Sequence, residues 1–256
     1  MNRRKFLAQA PTGAVAAGLA AAAGPVKASI YELRYFHMRN GAQVGRTTQF
    51  LEKHFRPAAE RAGAGPIGFF SQLISEQGPF ILSLTVFPSL GAIESVEEKM
   101  FRDEAYLKAL EEYNAEPGYM RMENSLLRGF SGSPAITIPK PAEKGSHIFE
   151  LRTYESSNGS AGRRKIKMFD DGEAGIFRRL GMQPVFFGQT IVGRNLPNLT
   201  YMLTYDDLAA RDRLWAAFGS DPEWKKLRAQ PELADALIVS NISNTILRPL
   251  PFSAIR

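Results

Sequence analysis

One stretch of this chain is written twice. Ile30-Tyr31-Glu32-Leu33-Arg34 returns as Ile148-Phe149-Glu150-Leu151-Arg152, 118 positions later. The same offset carries Asn40-Gly41 onto Asn158-Gly159, Pro66 onto Pro184, Phe69 onto Phe187, Pro79 onto Pro197 and Asp103 onto Asp221. With small slips, Leu84-Thr85 aligns with Leu203-Thr204, and Leu126-Leu127-Arg128 with Ile246-Leu247-Arg248. Matches at one spacing over so long a stretch imply a duplicated unit of roughly 110 residues, an ordinary size for one domain. The chain then divides into a first unit over 29–130, a linker over 131–146 rich in proline and small residues, and a second unit over 147–253.

Residues 1–28 stand apart from the repeat. Asn2-Arg3-Arg4-Lys5-Phe6-Leu7 is basic, then apolar. An Ala/Gly stretch comes next, and Val26-Lys27-Ala28 offers a small-residue cleavage site. That order predicts a twin-arginine signal peptide and a periplasmic location. The apolar run is too short and too rich in Ala and Gly to span the ~30 Å of a bilayer core, so no stable membrane anchor is expected after its removal.

Removing the signal also changes the electrostatics. The whole chain has 32 basic and 26 acidic residues; without Arg3, Arg4, Lys5 and Lys27 it has 28 and 26. A near-neutral mature protein gives no reason to expect nucleic acid as a partner. Cysteine is absent. Thiolate catalysis, thiolate-held zinc and iron–sulfur chemistry are therefore excluded, and packing alone must stabilise each unit.

Each unit reads strand, helix, strand, strand, helix, strand. First strands are predicted at 29–36 and 147–154 from alternation and their Tyr, Phe, Ile and Leu content. Helical spacing of apolar residues covers 45–62 and 162–180. Strand pairs are predicted at 67–75 with 80–87 and at 184–193 with 199–205. Second helices are expected over 91–112 and from Asp207 to about Phe218, with a further turn beginning at Asp221. Closing strands lie near 121–130 and 238–248. This β-α-β-β-α-β order is the ferredoxin-like plan, which leaves one face of its sheet bare. Two copies in one chain can cover each other's bare faces. The expected fold is α+β: two tandem ferredoxin-like units packed sheet to sheet as an intrachain α/β barrel. Further association into a homo-oligomer is compatible with this arrangement.

Alternation assigns the first-strand side chains to faces. Tyr31, Leu33 and Tyr35, with Phe149, Leu151 and Thr153, form a mostly apolar set suited to packing under helices. Ile30, Glu32, Arg34 and Phe36, with Ile148, Glu150, Arg152 and Tyr154, form the other set, expected to point into the barrel. Two accounts of the charged set stay open. It is a buried ion-pair cluster that fixes how the halves dock, or a polar cavity in which Arg34 or Arg152 grips an anionic ligand while a glutamate takes up a proton. His37 follows a first strand and is placed at a cavity mouth. The ligand-binding candidates are thus Glu32, Arg34, His37, Glu150, Arg152 and Tyr154.

Histidine occurs only at His37, His54 and His147, with no HxxxH or HxH spacing, so no metal site is expected. Neither a dinucleotide fingerprint nor a phosphate loop is present, and no nucleophile elbow is found. No cofactor is predicted.

Several segments together resemble the NIPSNAP family. They are Phe149-Glu150-Leu151-Arg152-Thr153-Tyr154, Asn198-Leu199, Tyr205-Asp206-Asp207-Leu208-Ala209-Ala210-Arg211, Asp221-Pro222-Glu223-Trp224 and Pro251-Phe252-Ser253. The first copy keeps Tyr31-Glu32-Leu33-Arg34 but has Asp103-Glu104-Ala105-Tyr106 for the acidic turn and lacks an arginine matching Arg211. The resemblance implies the dimeric α/β-barrel superfamily, which includes cofactor-independent monooxygenases, haem-handling proteins and small-molecule isomerases. It transfers no catalytic residue set. The function expected is binding of a small hydrophobic or acidic molecule in a cleft of the barrel. The alternatives are a monooxygenase- or isomerase-like enzyme and an adaptor with a filled barrel.

Overall fold

A computed structural model describes residues 27–142 and 145–256. The segment read as a twin-arginine signal lies, up to residue 26, outside the described residues. In the first unit, β1 (Ile30–His37) leads into α1 (Ala42–Phe50), a five-residue π-helical turn (Leu51–Phe55) and α2 (Arg56–Ala62). Then come β2 (Ile67–Ile74), β3 (Phe80–Phe87), α3 (Leu90–Met100), α4 (Glu104–Asn114) and β4 (Arg121–Gly129). The second unit repeats the order: β5 (Ile148–Glu155), α5 (Gly159–Met168), a π-helical turn (Phe169–Glu173), α6 (Ala174–Arg179), β6 (Gln183–Val192), β7 (Asn198–Tyr205), α7 (Leu208–Ser220) and α8 (Pro222–Arg228). A short α9 (Asp235–Ile238) precedes β8 (Asn241–Pro249).

Helix breaks follow local chemistry. The single helix expected over 91–112 is two helices. Asp103 leaves the helical region and its carboxylate accepts from the Tyr106 backbone N–H at 3.0 Å, starting α4 afresh. Asp221 does the same for α8, accepting from Glu223 and Trp224, with Pro222 at the first helical position.

The strands close into one antiparallel barrel in the order β1-β3-β2-β8-β5-β7-β6-β4. Each unit contributes the ferredoxin-like order, and β2–β8 and β4–β6 join the units edge to edge. The fold is α+β, as expected. One alignment slip is corrected by register. Thr85 sits opposite Glu32 and Leu203 opposite Glu150, so the offset across β3 and β7 stays at 118 and Thr85 matches Leu203, not Thr204. A one-residue slip would have exchanged the faces.

The expected facing of the first strands is reversed. Tyr31, Leu33, Phe149 and Leu151 join Phe70, Leu82, Leu84, Leu127, Phe186, Met202 and Leu247 in a single cluster drawn from both units, which is the barrel interior. Glu32, Arg34, Glu150, Arg152 and Tyr154 point outward, beneath the helices. An eight-stranded barrel has an interior just wide enough to be filled by side chains or to hold one small ligand. Filling that space with aromatic and branched groups gains about 1.5–3 kcal/mol for each large side chain, whereas a central charge must be desolvated. The outer face, at the sheet–helix seam, lets helix side chains reach the charges.

The barrel is plugged at one end. At the base, where β1 and β5 begin, Ile255 of the C-terminal tail is fully buried in the barrel cluster and Ile136 of the linker packs against it. The tail is tied to the first unit by the Ala254 N–H donating to the Ile67 carbonyl (3.1 Å) and the Phe69 N–H donating to Ser253 Oγ (2.9 Å). The linker is tied to the second by the Thr137 N–H donating to the Val185 carbonyl (2.8 Å).

Candidate functional site: the barrel mouth

At the opposite end, where β1 and β5 finish, the inward positions turn polar and the barrel opens. A cavity of about 380 Å³ occupies this mouth. Its floor is Leu33 and Leu151, with Tyr35 above them and Phe80 level with His37; its wall includes Thr153, Thr190, Thr200, Ser243 and Thr245. Each unit supplies part of the ring, so the site is complete only in the closed barrel.

The two halves of the mouth differ. On the second unit the wall groups are mostly neutral and mutually bonded. Thr153 and Thr200 hydroxyls lie 2.8 Å apart, Thr190 donates to Asn198 Oδ1 at 2.5 Å, and Asn241 donates to Glu155 at 2.9 Å. On the first unit sits a charged group. His37 Nε2 lies 3.4 Å from Glu123 Oε1 and has no hydrogen-bond partner. Glu123 accepts from Arg121 Nε at 2.6 Å and pairs with Arg194 of the other unit at 2.8 Å.

These contacts set the protonation states. Burial, then the positive charge of Arg121, lowers the His37 pKa; Glu123 offsets this only in part. Burial by itself would raise the Glu123 pKa, but the hydrogen bond from Arg121 and the charge of Arg194 hold it below its ordinary value. Near neutral pH the pair is therefore a neutral imidazole beside a carboxylate. Tyr35 stacks on His37 (5.8 Å, 14°), and burial pushes its phenol pKa upward. The mouth thus offers a proton-accepting imidazole at the rim, hydroxyls and amides around the wall, and an apolar floor.

The other sequence candidates lie elsewhere. Glu150 is fully buried under α7, where Arg211 grips it through two nitrogens (2.6 and 3.0 Å). Arg152, Trp215, Tyr205 and Asn244 also donate to it. Arg152 lies 4.5 Å from the Trp215 ring centroid and donates to the Tyr154 hydroxyl. Glu32 and Arg34 form the matching pair in the first unit. The two clusters are on opposite outer walls and each is bonded within its own unit, so they do not govern how the halves dock; only the asparagines that donate to them, Asn124 and Asn244, also border the mouth. Of the six candidates, only His37 lines the mouth. Glu123, Arg121, Arg194 and the threonines are absent from the sequence candidates. Their signal is parity: Thr153 and Glu155 continue the inward row begun by Phe149 and Leu151. No group of three potential metal ligands occurs among the described residues.

Residues 149–254 match the NIPSNAP family. A comparison with curated proteins finds no match. Among solved structures, a candidate monooxygenase from Lactobacillus acidophilus NCFM is 14% identical, covering 87% of this chain and 94% of its own, with a TM-score of 0.60. An anthrone oxidase-like protein is 10% identical over 88% and 92%, with a TM-score of 0.53. A NIPSNAP-like domain protein from Burkholderia xenovorans is 25% identical over 43% of this chain and 90% of its own, with a TM-score of 0.38. The first two share the barrel fold across both units; at such identity the likeness is one of fold.

Proposed function

We propose that this is an exported protein of NIPSNAP type that binds a small, oxygen-rich molecule with an apolar portion in the barrel mouth. The supporting observation is the pairing of an apolar floor with a hydroxyl- and amide-lined wall in a cavity of about 380 Å³, within the usual size range of ligand sites. The acidic ligand expected from Arg34 and Arg152 loses its basis, because both guanidiniums lie outside the barrel. Mass spectrometry of the protein purified natively from its own cells tests the proposal by releasing a bound small molecule. The paired isosteric change Thr153→Val with Thr200→Val removes two hydroxyls and should weaken that molecule's binding roughly tenfold or more. Unchanged affinity in that variant would refute the mouth as its site. Export rests on Arg3-Arg4 and the stretch behind them. Replacing both arginines with lysine should hold the precursor in the cytoplasm, read by cell fractionation.

A second reading is favoured by the His37–Glu123 pair. A neutral imidazole in a cavity can take a proton from a bound hydroxyl or activated C–H group. That is a step an oxygenase or isomerase needs, and the like-folded structures above carry oxygenase and oxidase names. Under this reading His37→Gln keeps ligand affinity within a few-fold and abolishes turnover of the identified molecule.

A further inference from the structure

The duplication supplies its own control for the Glu32 cluster. Glu32 and Glu150 occupy matching positions, and each Oε1 accepts from the arginine two residues on and from the cross-strand asparagine. Arg34 and Asn124 donate at 2.7 and 2.7 Å in the first unit, Arg152 and Asn244 at 2.9 and 3.1 Å in the second. The difference is at Oε2. In the second unit it accepts from Tyr205, Arg211 and Trp215. At the same offset the first unit has Phe87, Ile93 and Glu97, none of which has a hydrogen to donate to a carboxylate at neutral pH. No donor among the described residues reaches Glu32 Oε2.

Where Arg211 and Trp215 stand in one unit, the other has a cleft of about 130 Å³ between sheet and helices. Glu32, 4% exposed, and Thr85, 2% exposed, both line it, and the Thr85 hydroxyl has no hydrogen-bond partner. Phe55, Phe101, Met100 and Tyr106 supply apolar and aromatic walls, and Glu97 stands at the exposed rim. Buried polar atoms without partners are rare in folded proteins. The charges are unbalanced as well: Glu150 stands between two guanidiniums, whereas Glu32 has one, that of Arg34, which shares the cleft wall with it and with the Glu97 carboxylate.

The geometry points to a second ligand site here, for a small organic cation carrying a guanidinium or amidinium fork on a short apolar body. Such a molecule takes the place that Arg211 fills in the other half. Its N–H groups donate to Glu32 Oε2, with Thr85 as a further acceptor. Its charge is shared with Glu97, and its body packs on the aromatic walls. The occupant thus repeats, from outside, the protein's own solution to the same buried carboxylate.

Benzamidinium is the probe and uncharged benzamide, of the same shape, its control, each titrated calorimetrically into the full mature chain. Benzamidinium should bind saturably at one site and at least tenfold more tightly than benzamide. Glu32→Gln should cost at least tenfold in affinity. Ile93→Arg, which restores the missing guanidinium from within, should abolish binding, and Glu97→Gln should weaken it by a few-fold. Equal binding of probe and control overturns the proposal, as does undiminished binding in Ile93→Arg. If Glu32→Gln does not fold, the Ile93→Arg and Glu97→Gln results decide the matter.

Discussion

Glu150 and Glu32 have the same neighbours in sequence and different energetics. Removing the Glu150 carboxylate would strand Arg152 and Arg211, two partly buried charges. Loss of one partner from a buried pair costs about 3–5 kcal/mol, and Glu150→Gln should approach that in urea unfolding. Glu32→Gln, which loses only the bonds from Arg34 and Asn124, should cost less. Burial raises the Glu150 pKa, but the Arg211 hydrogen bond and the Arg152 charge outweigh it and leave the pKa below its ordinary value. A carboxylate held low contributes stability above its unfolded pKa of about 4.3 and loses it as pH falls through the folded value. The stability gap between wild type and Glu150→Gln should therefore close in acid, below about pH 4. His37 runs the other way in charge. With its folded pKa lowered from about 6.5, the folded state takes up that proton less readily than the unfolded chain. Stability is full above the unfolded value and declines as pH drops towards the folded one, and an NMR titration of His37 should give a midpoint below about 6.5. At this scale the sequence tells which residues share a face but not which face is inside. Ile30 and Phe36, on the charged row, are as apolar as Leu33 and Tyr35 on the other, so both rows carry groups that call for burial. Placing the charges at the centre assumes a dry helix side, and Arg211 and Trp215 make that side polar.

Elements are legible where side chains announce their own geometry. Asp103, Asn158, Asp207 and Asp221 each cap a helix start. Asp221 also accepts from Arg179 at 3.0 Å. Its replacement by alanine should cost about 1–2 kcal/mol, measurable as a lowered Tm with the barrel intact. The π-helical turns are not legible. Leu51–Phe55 and Phe169–Glu173 sit at the same offset in both units, yet the apolar spacing reads through each as ordinary helix. One inserted residue per turn leaves the hydrophobic stripe nearly continuous while rotating the helix beyond it. The rotation serves different ends: the first turn ends on Phe55, a wall of the cleft beside Glu32, and the second on Glu173, buried against Lys165 at 2.8 Å.

At the scale of the molecule, the repeat and the strand order make the closed barrel readable from sequence alone. The open mouth is hidden there because it needs register across two units whose strands are separated by more than a hundred residues. The joints β2–β8 and β4–β6 carry a prediction of their own. The second unit expressed alone, residues 147–256, would expose the β6 and β8 edges together with Phe149, Leu151, Phe186 and Met202. Bare edges and a bare apolar face drive pairing, so this fragment should run as a dimer in light scattering; a stable, soluble monomer would contradict the edge-to-edge joints as the source of closure. Ile255 and Ile136 stopper the base, and this makes the barrel a cup, not a tube. A cup has a single lip, so whatever enters must leave past the same imidazole and carboxylate, and an outgoing molecule blocks the next arrival until it clears the rim.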